Sequence, residues 1–125
     1  MALSNTKATG LTTKVFLDTD LVAGAITVKT SSTTLYGIQW TNASSSATVY
    51  VKFYNSASTV TVGTTAPDFT LQLDNAESEV MLNVTTAGVT FSNGLQMACV
   101  SDGGGTAGTT APSSSENVSV RLIYS

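Results

Sequence analysis

Asp18 and Asp20 stand two residues apart in FLDTDL. That spacing puts both carboxylates on one side of an extended segment, where they could share a Ca²⁺. Such a site takes about six to eight oxygens, and no further ligands are evident nearby, so two turn-forming aspartates at a strand end are the better reading. Glu77 and Glu79 repeat the spacing around Ser78. A glycosidase pair would need a cleft and carboxylates about 5–10 Å apart. Acids at the mouth of a turn also deter unwanted sheet pairing, and that reading is preferred. Gly103, Gly104 and Gly105 resemble a phosphate cradle only superficially, because no lysine follows at P-loop spacing and no helix start is visible. A loop tip is the expectation.

The chain has no histidine, which removes Ser-His-Asp and Cys-His catalysis, most zinc sites and the usual general base near neutral pH. Cys99 is the sole cysteine; it can form neither an intrachain disulfide nor a thiolate metal site. Within LQMACV it reads as a buried, inert thiol. Any catalysis would rest on carboxylates, so no enzyme activity and no cofactor are expected.

The aromatic residues carry a different chemistry. Tyr36, Trp40, Tyr50, Phe53 and Tyr54 are five of the nine aromatics and fall within 19 residues. The segments 33–42 and 48–55 read as two strands of a β-hairpin joined by ASSSA, a nucleus for a sheet core. Period-two alternation puts Tyr36, Ile38 and Trp40 on one face of the first strand, and Val49, Val51 and Phe53 on one face of the second. Tyr50, Lys52 and Tyr54 then lie on the opposite, outer face. An exposed aromatic pair there most commonly marks a protein–protein contact, so these three are the candidate interface. Sugar stacking on Trp40 or on Tyr50 and Tyr54 is the alternative use of such rings.

Around that hairpin the sequence reads as strands throughout. Residues 1–11 (MALSNTKATGL) are small, polar and aperiodic, and are expected to form a flexible arm. Residues 12–125 form one domain. Strand signals follow at TTKVFL, at LVAGAITVK with a bulge or close-packing point at Gly24, at the short run TVTV (59–62), and at FTLQL. They continue at EVMLNVT, with Val80, Leu82 and Val84 on one face, then at GVTF, at LQMACV after the Ser92-Asn93-Gly94 turn, and at NVSVRLIY. The alternation in the last of these predicts a strand paired inside a sheet. Residues 101–116 form an unusually long connection without an apolar anchor, which should be functional or mobile. Eight or nine strands and no helical period predict an antiparallel β-sandwich, jelly-roll-like, with an immunoglobulin-like sandwich as the alternative. No cysteine pair brackets the tryptophan, which counts against the latter.

Composition narrows the partners. Five cations against eight acids give a net charge of −3, and 38 of 125 residues are Ser or Thr. A surface so poor in cations has no electrostatic footprint for nucleic acid or an anionic membrane. No apolar run reaches the length of a membrane span, and the first residues do not resemble a signal peptide, so synthesis in a reducing cytoplasm is expected. The triplets at Asn42, Asn83 and Asn117 are unremarkable in a chain this rich in hydroxyls and carry little weight as glycosylation sites.

The string LYGIQWTNASSSATVYVKFYNS, followed by VTVGTTAPDFTLQL, GVTFSNGLQMACV and VSVRLIY, resembles a family of small virion proteins of tailed bacteriophages, including marine and cyanobacterial phages. The resemblance covers roughly residues 35–124 and consists of strands and turns rather than a catalytic motif. It implies a structural component of the virion. Small jelly-roll members of this kind are capsid decoration (cement) proteins that bind the major capsid protein as homotrimers at local threefold axes; others serve as head fibres or tail components. The resemblance transfers no site residue. A glycan- or receptor-binding module of a tail or fibre is the alternative it leaves.

Overall fold

The computed structural model describes residues 13–43, 47–77, 80–83, 87–113 and 118–125, with the backbone alone for 80–83. The arm at 1–11, Glu79, Val84 and Asn117 lie outside the described residues. Among the described residues nine strands follow one another: β1 (Lys14–Asp18), β2 (Ile26–Lys29), β3 (Thr33–Thr41), β4 (Val49–Asn55), β5 (Phe69–Leu73), β6 (Val80–Asn83), β7 (Val89–Phe91), β8 (Leu95–Val100) and β9 (Ser119–Tyr124). TVTV (59–62) forms no strand; Thr64 and Thr65 both donate backbone N–H bonds to the Thr61 carbonyl, closing a turn.

The strands form two antiparallel sheets, one in the order β1-β9-β3-β6 with β7 also on β3, the other β2-β8-β4-β5. β6 pairs with Gly37–Trp40 and β7 with Thr33–Leu35, so the two together occupy one edge position. Eight positions result, four in each sheet. The chain changes sheet at every connection except β4 to β5 and β6 to β7. That alternation is the double Greek key of a jelly roll and excludes the immunoglobulin order, in which hairpins stay within a sheet.

The segment 33–55 is therefore not a hairpin. β3 and β4 belong to different sheets and face each other across the core. Asn42 makes the corner. Its side chain is fully buried, and Nδ2 lies 2.9 Å from the Ala47 carbonyl oxygen, 3.1 Å from that of Asp74 and 3.3 Å from that of Leu73. An amide can satisfy several carbonyls where the chain leaves one sheet for the other, and an apolar residue could not. The β7–β8 corner works differently. Gly94 sits there at φ +149°, and a Cβ would fall 2.7 Å from the Ser56 carbonyl oxygen and 2.8 Å from that of Lys29. Only glycine fits so close an approach of three chain segments.

The core runs between the sheets. Ile38, Trp40, Val120 and Leu122 come from one side; Val49, Val51, Phe53, Leu73, Leu95, Met97 and Cys99 from the other. Phe53 stacks on its cross-strand partner Phe69 with ring centroids 5.3 Å apart. Full burial of a single such side chain contributes about 1.5–3 kcal/mol. Tyr36 is not on the face of Ile38 and Trp40. A β-bulge separates Leu35, opposite Tyr124, from Gly37, opposite Ile123. The extra residue shifts the alternation by one, so that Leu35 and Ile38 both point inward and Tyr36 leaves the core. β9 lies inside its sheet between β1 and β3, as its alternation predicts.

Candidate interaction surface

Period-two alternation along β4 puts Val49, Val51 and Phe53 in the core and Tyr50, Lys52 and Tyr54 on the outer face of β2-β8-β4-β5. The expected exposure does not follow. Lys52 is 0% and Tyr54 1% accessible, and Tyr50 is half-buried. Gln96, Ala98 and Val100, paired with Tyr54, Lys52 and Tyr50 in β8, are fully buried as well. Of the three candidate interface residues, Lys52 and Tyr54 are covered by the chain itself, and Tyr50 keeps part of its surface exposed.

The cover includes the connection after β8. Ser101 N–H donates to the Thr110 carbonyl at 2.9 Å and closes residues 101–110 into a compact Ω-shaped loop. Asp102 organises it: its carboxylate accepts from Thr109 N at 3.1 Å, Thr110 N at 3.0 Å and Thr110 Oγ1 at 2.8 Å. These bonds, the Thr110 hydroxyl foremost, hold its carboxyl below the ordinary carboxylate range. The loop then lies on the sheet. Lys52 Nζ donates to the Gly108 carbonyl at 2.8 Å, and Thr70 Oγ1 to the Gly104 carbonyl at 3.1 Å. A Cβ on Gly104 would sit 2.9 Å from the Tyr50 ring, so the backbone packs flat against it. On the far side, the positions of Gly63 and Thr109 interlock so closely that a Cβ at Gly63 would strike the threonine methyl.

Burial sets the electrostatics here. It lowers the Lys52 ammonium from the ordinary lysine value, an effect the Asp102 carboxylate partly opposes. Burial likewise raises the Tyr54 phenol, whose hydroxyl has no hydrogen-bond partner among the described residues. The opposite end of the same face is satisfied: Thr27 Oγ1 donates to Gln96 Oε1 at 2.8 Å, and Gln96 Nε2 to the Ser56 carbonyl at 3.4 Å.

The other candidates resolve into local structure. Asp18 Oδ1 accepts the Asp20 N–H at 2.9 Å, an Asx turn at the end of β1. Among the described residues no group of three or more His, Cys, Asp or Glu could hold a metal. Glu77 Oε2 accepts from Trp40 Nε1 at 3.2 Å, so this acid closes the corner beside the tryptophan; its proposed partner Glu79 is outside the described residues. Cys99 is buried in the core. Asn42, committed at its corner, presents no free amide for glycosylation in the folded chain. Trp40 is 8% accessible, and with Tyr54 covered the stacking platform reduces to Tyr50.

The face of the other sheet is where side chains remain available. Across β1, β9 and β3 the register aligns Val15 with Ile123 and Gly37, and Leu17 with Arg121 and Gln39, on the side away from the core. Val15 is 38% accessible, and Leu17, Arg121 and Ile123 are half-buried. Arg121 Nη1 donates to Gln39 Oε1 at 2.6 Å, beside a cavity of about 40 Å³ lined by Leu17, Thr41 and Ser119. Sequence reading missed this surface because VFL and RLI also fit core strands; only the pairing shows which side faces out.

No family model matches the chain, and no curated protein matches it. Among solved structures, a chain of the T13 IBDV viral particle is similar at 10% identity and a TM-score of 0.25, over 90% of this chain and 35% of that one. The present chain thus spans about a third of the length of that chain. The jelly-roll description stands on the strand order alone.

Proposed function

We propose that this protein is a non-enzymatic structural component of a virion, a capsid decoration protein that binds the major capsid protein and stabilises a phage head as a homotrimer. The observation that carries the reading is the asymmetry of the sandwich. One outer face is largely covered by the chain itself, with Lys52 held under the Ω loop and Tyr54 buried along the same strand. The other presents a row in which Val15 is exposed and Leu17, Ile123 and Arg121 are half-buried. A rigid plate with one finished and one unfinished face suits a part that is laid onto a larger shell, and jelly rolls are a recurrent architecture of viral capsids. The resemblance of residues 35–124 to small phage virion proteins points the same way.

The test is co-sedimentation of the purified protein with expanded phage capsids, read beside its mass in solution. Saturable binding by a three-copy species supports the reading. A protein that remains in the supernatant and stays monomeric at micromolar concentration overturns it. The second class, a glycan- or receptor-binding module of a tail or fibre, would have to rest on Tyr50 among the rings considered; binding on a glycan array that is lost in Tyr50→Ala would favour it.

A further inference from the structure

β1 is the free edge of its sheet: among the described residues it pairs with β9 and with nothing on its other side. Its sequence, Lys14-Val15-Phe16-Leu17-Asp18, is self-complementary when run antiparallel. A twofold axis through Phe16 places Lys14 of one copy opposite Asp18 of another, and Asp18 opposite Lys14, so two opposite-charge cross-strand pairs form at once. The same register sets Val15 against the second copy's Leu17 on the outer face, extending the Val15–Ile123 row, and Phe16 against Phe16 on the inner face.

The two charged ends are available for this. Lys14 is exposed, and its ammonium group has no hydrogen-bond or ion-pair partner among the described residues. Asp18 engages one oxygen, Oδ1, with the Asp20 N–H. A lysine on a sheet edge ordinarily discourages strand addition. Here it rejects other registers, since a one-residue shift moves Lys14 away from the acid, whereas in the central register both charges are answered.

We propose that β1 is a homophilic edge, and that a second copy of this chain adds its own β1 across it to make one continuous sheet. The contact is independent of the virion reading; where homotrimers form, it joins one trimer to the next. A five-residue edge falls below about 1,200 Å² of buried area, the small end of specific interfaces. Association is therefore expected at roughly micromolar concentrations in solution, and more fully where copies are held side by side.

Sedimentation equilibrium over a concentration series of the full chain tests the pairing. The smallest species present should double in mass. Lys14→Glu opposes two acids to two acids, and Asp18→Lys two lysines to two lysines, so each variant alone should need about tenfold more protein to double. An equimolar mixture of the two variants restores both opposite-charge pairs and should associate like the parent, an outcome that misfolding of either variant cannot imitate. Absence of doubling, doubling indifferent to both substitutions, or a mixture no better than its components would each overturn the proposal.

Discussion

At the scale of single residues, Lys52 is the most consequential placement. An ammonium that reaches a carbonyl 2.8 Å away under a loop has lost its water, and its proton is held less firmly than in the unfolded chain. The sign follows from linkage. Between the lowered folded value and the ordinary 10.5, the unfolded state binds more protons, so stability rises with pH across that window. Tyr54 acts oppositely above its ordinary 10.0, because the folded state keeps the phenol proton longer and stability falls as pH climbs further. Denaturant titrations of the parent and of Lys52→Met should show the rise below pH 10.5 in the parent and its loss in the variant. A rise retained in the variant would assign it to another group. The outward direction of Lys52 was legible from alternation along VYVKFYN. Its burial was not, because the material that covers it is glycine, serine and threonine without an apolar signature.

At the scale of elements, the alternating runs on either side of the core identified most strands but not their partners. LYGIQW and VYVKFY look like neighbours because a short polar connector joins them, yet a connector of that length serves a corner between sheets as well as a hairpin. What decides is the amide of Asn42, bonded to carbonyls 31 and 32 residues away, a long-range fact invisible to local pattern. The bulge before Gly37 escaped notice for a related reason: it exists only in the pairing with β9. The Ω loop offers a direct test of element-level packing. Gly104→Val puts methyl groups where the Tyr50 ring and the Thr70 methyl already lie, 2.9 and 3.0 Å from the first added carbon. The expected cost is about 1–3 kcal/mol, with lifting of the loop. Peptide mapping after amine acylation should find Lys52 protected in the parent and labelled in the variant. Equal labelling in both would mean that the loop does not guard it.

For the whole molecule, the topology governs how the structure is reached. β1 pairs with β9, joining Lys14 to Tyr124, and β2 pairs with β8, joining Ile26 to Met97. Chain closure over such separations precedes the contacts that reward it, so folding is expected on the ~millisecond-to-second scale of non-local β proteins rather than in microseconds. Trp40, the single tryptophan and nearly buried, provides the signal for stopped-flow refolding; a microsecond relaxation would contradict the expectation. Composition and alternation were enough to expect an all-β sandwich because both are properties of every strand. Sheet order was beyond them, since it is a property of pairs.

The burial of Cys99 has a practical consequence. It is the chain's only thiol and sits at the centre of the core with no accessible surface, while the Lys52 amine lies only beneath the loop. A thiol reagent therefore times the opening of the sandwich, and an amine reagent times the lifting of its cover. One unmodified protein carries two internal clocks, and the ratio of their rates separates a local excursion from global unfolding.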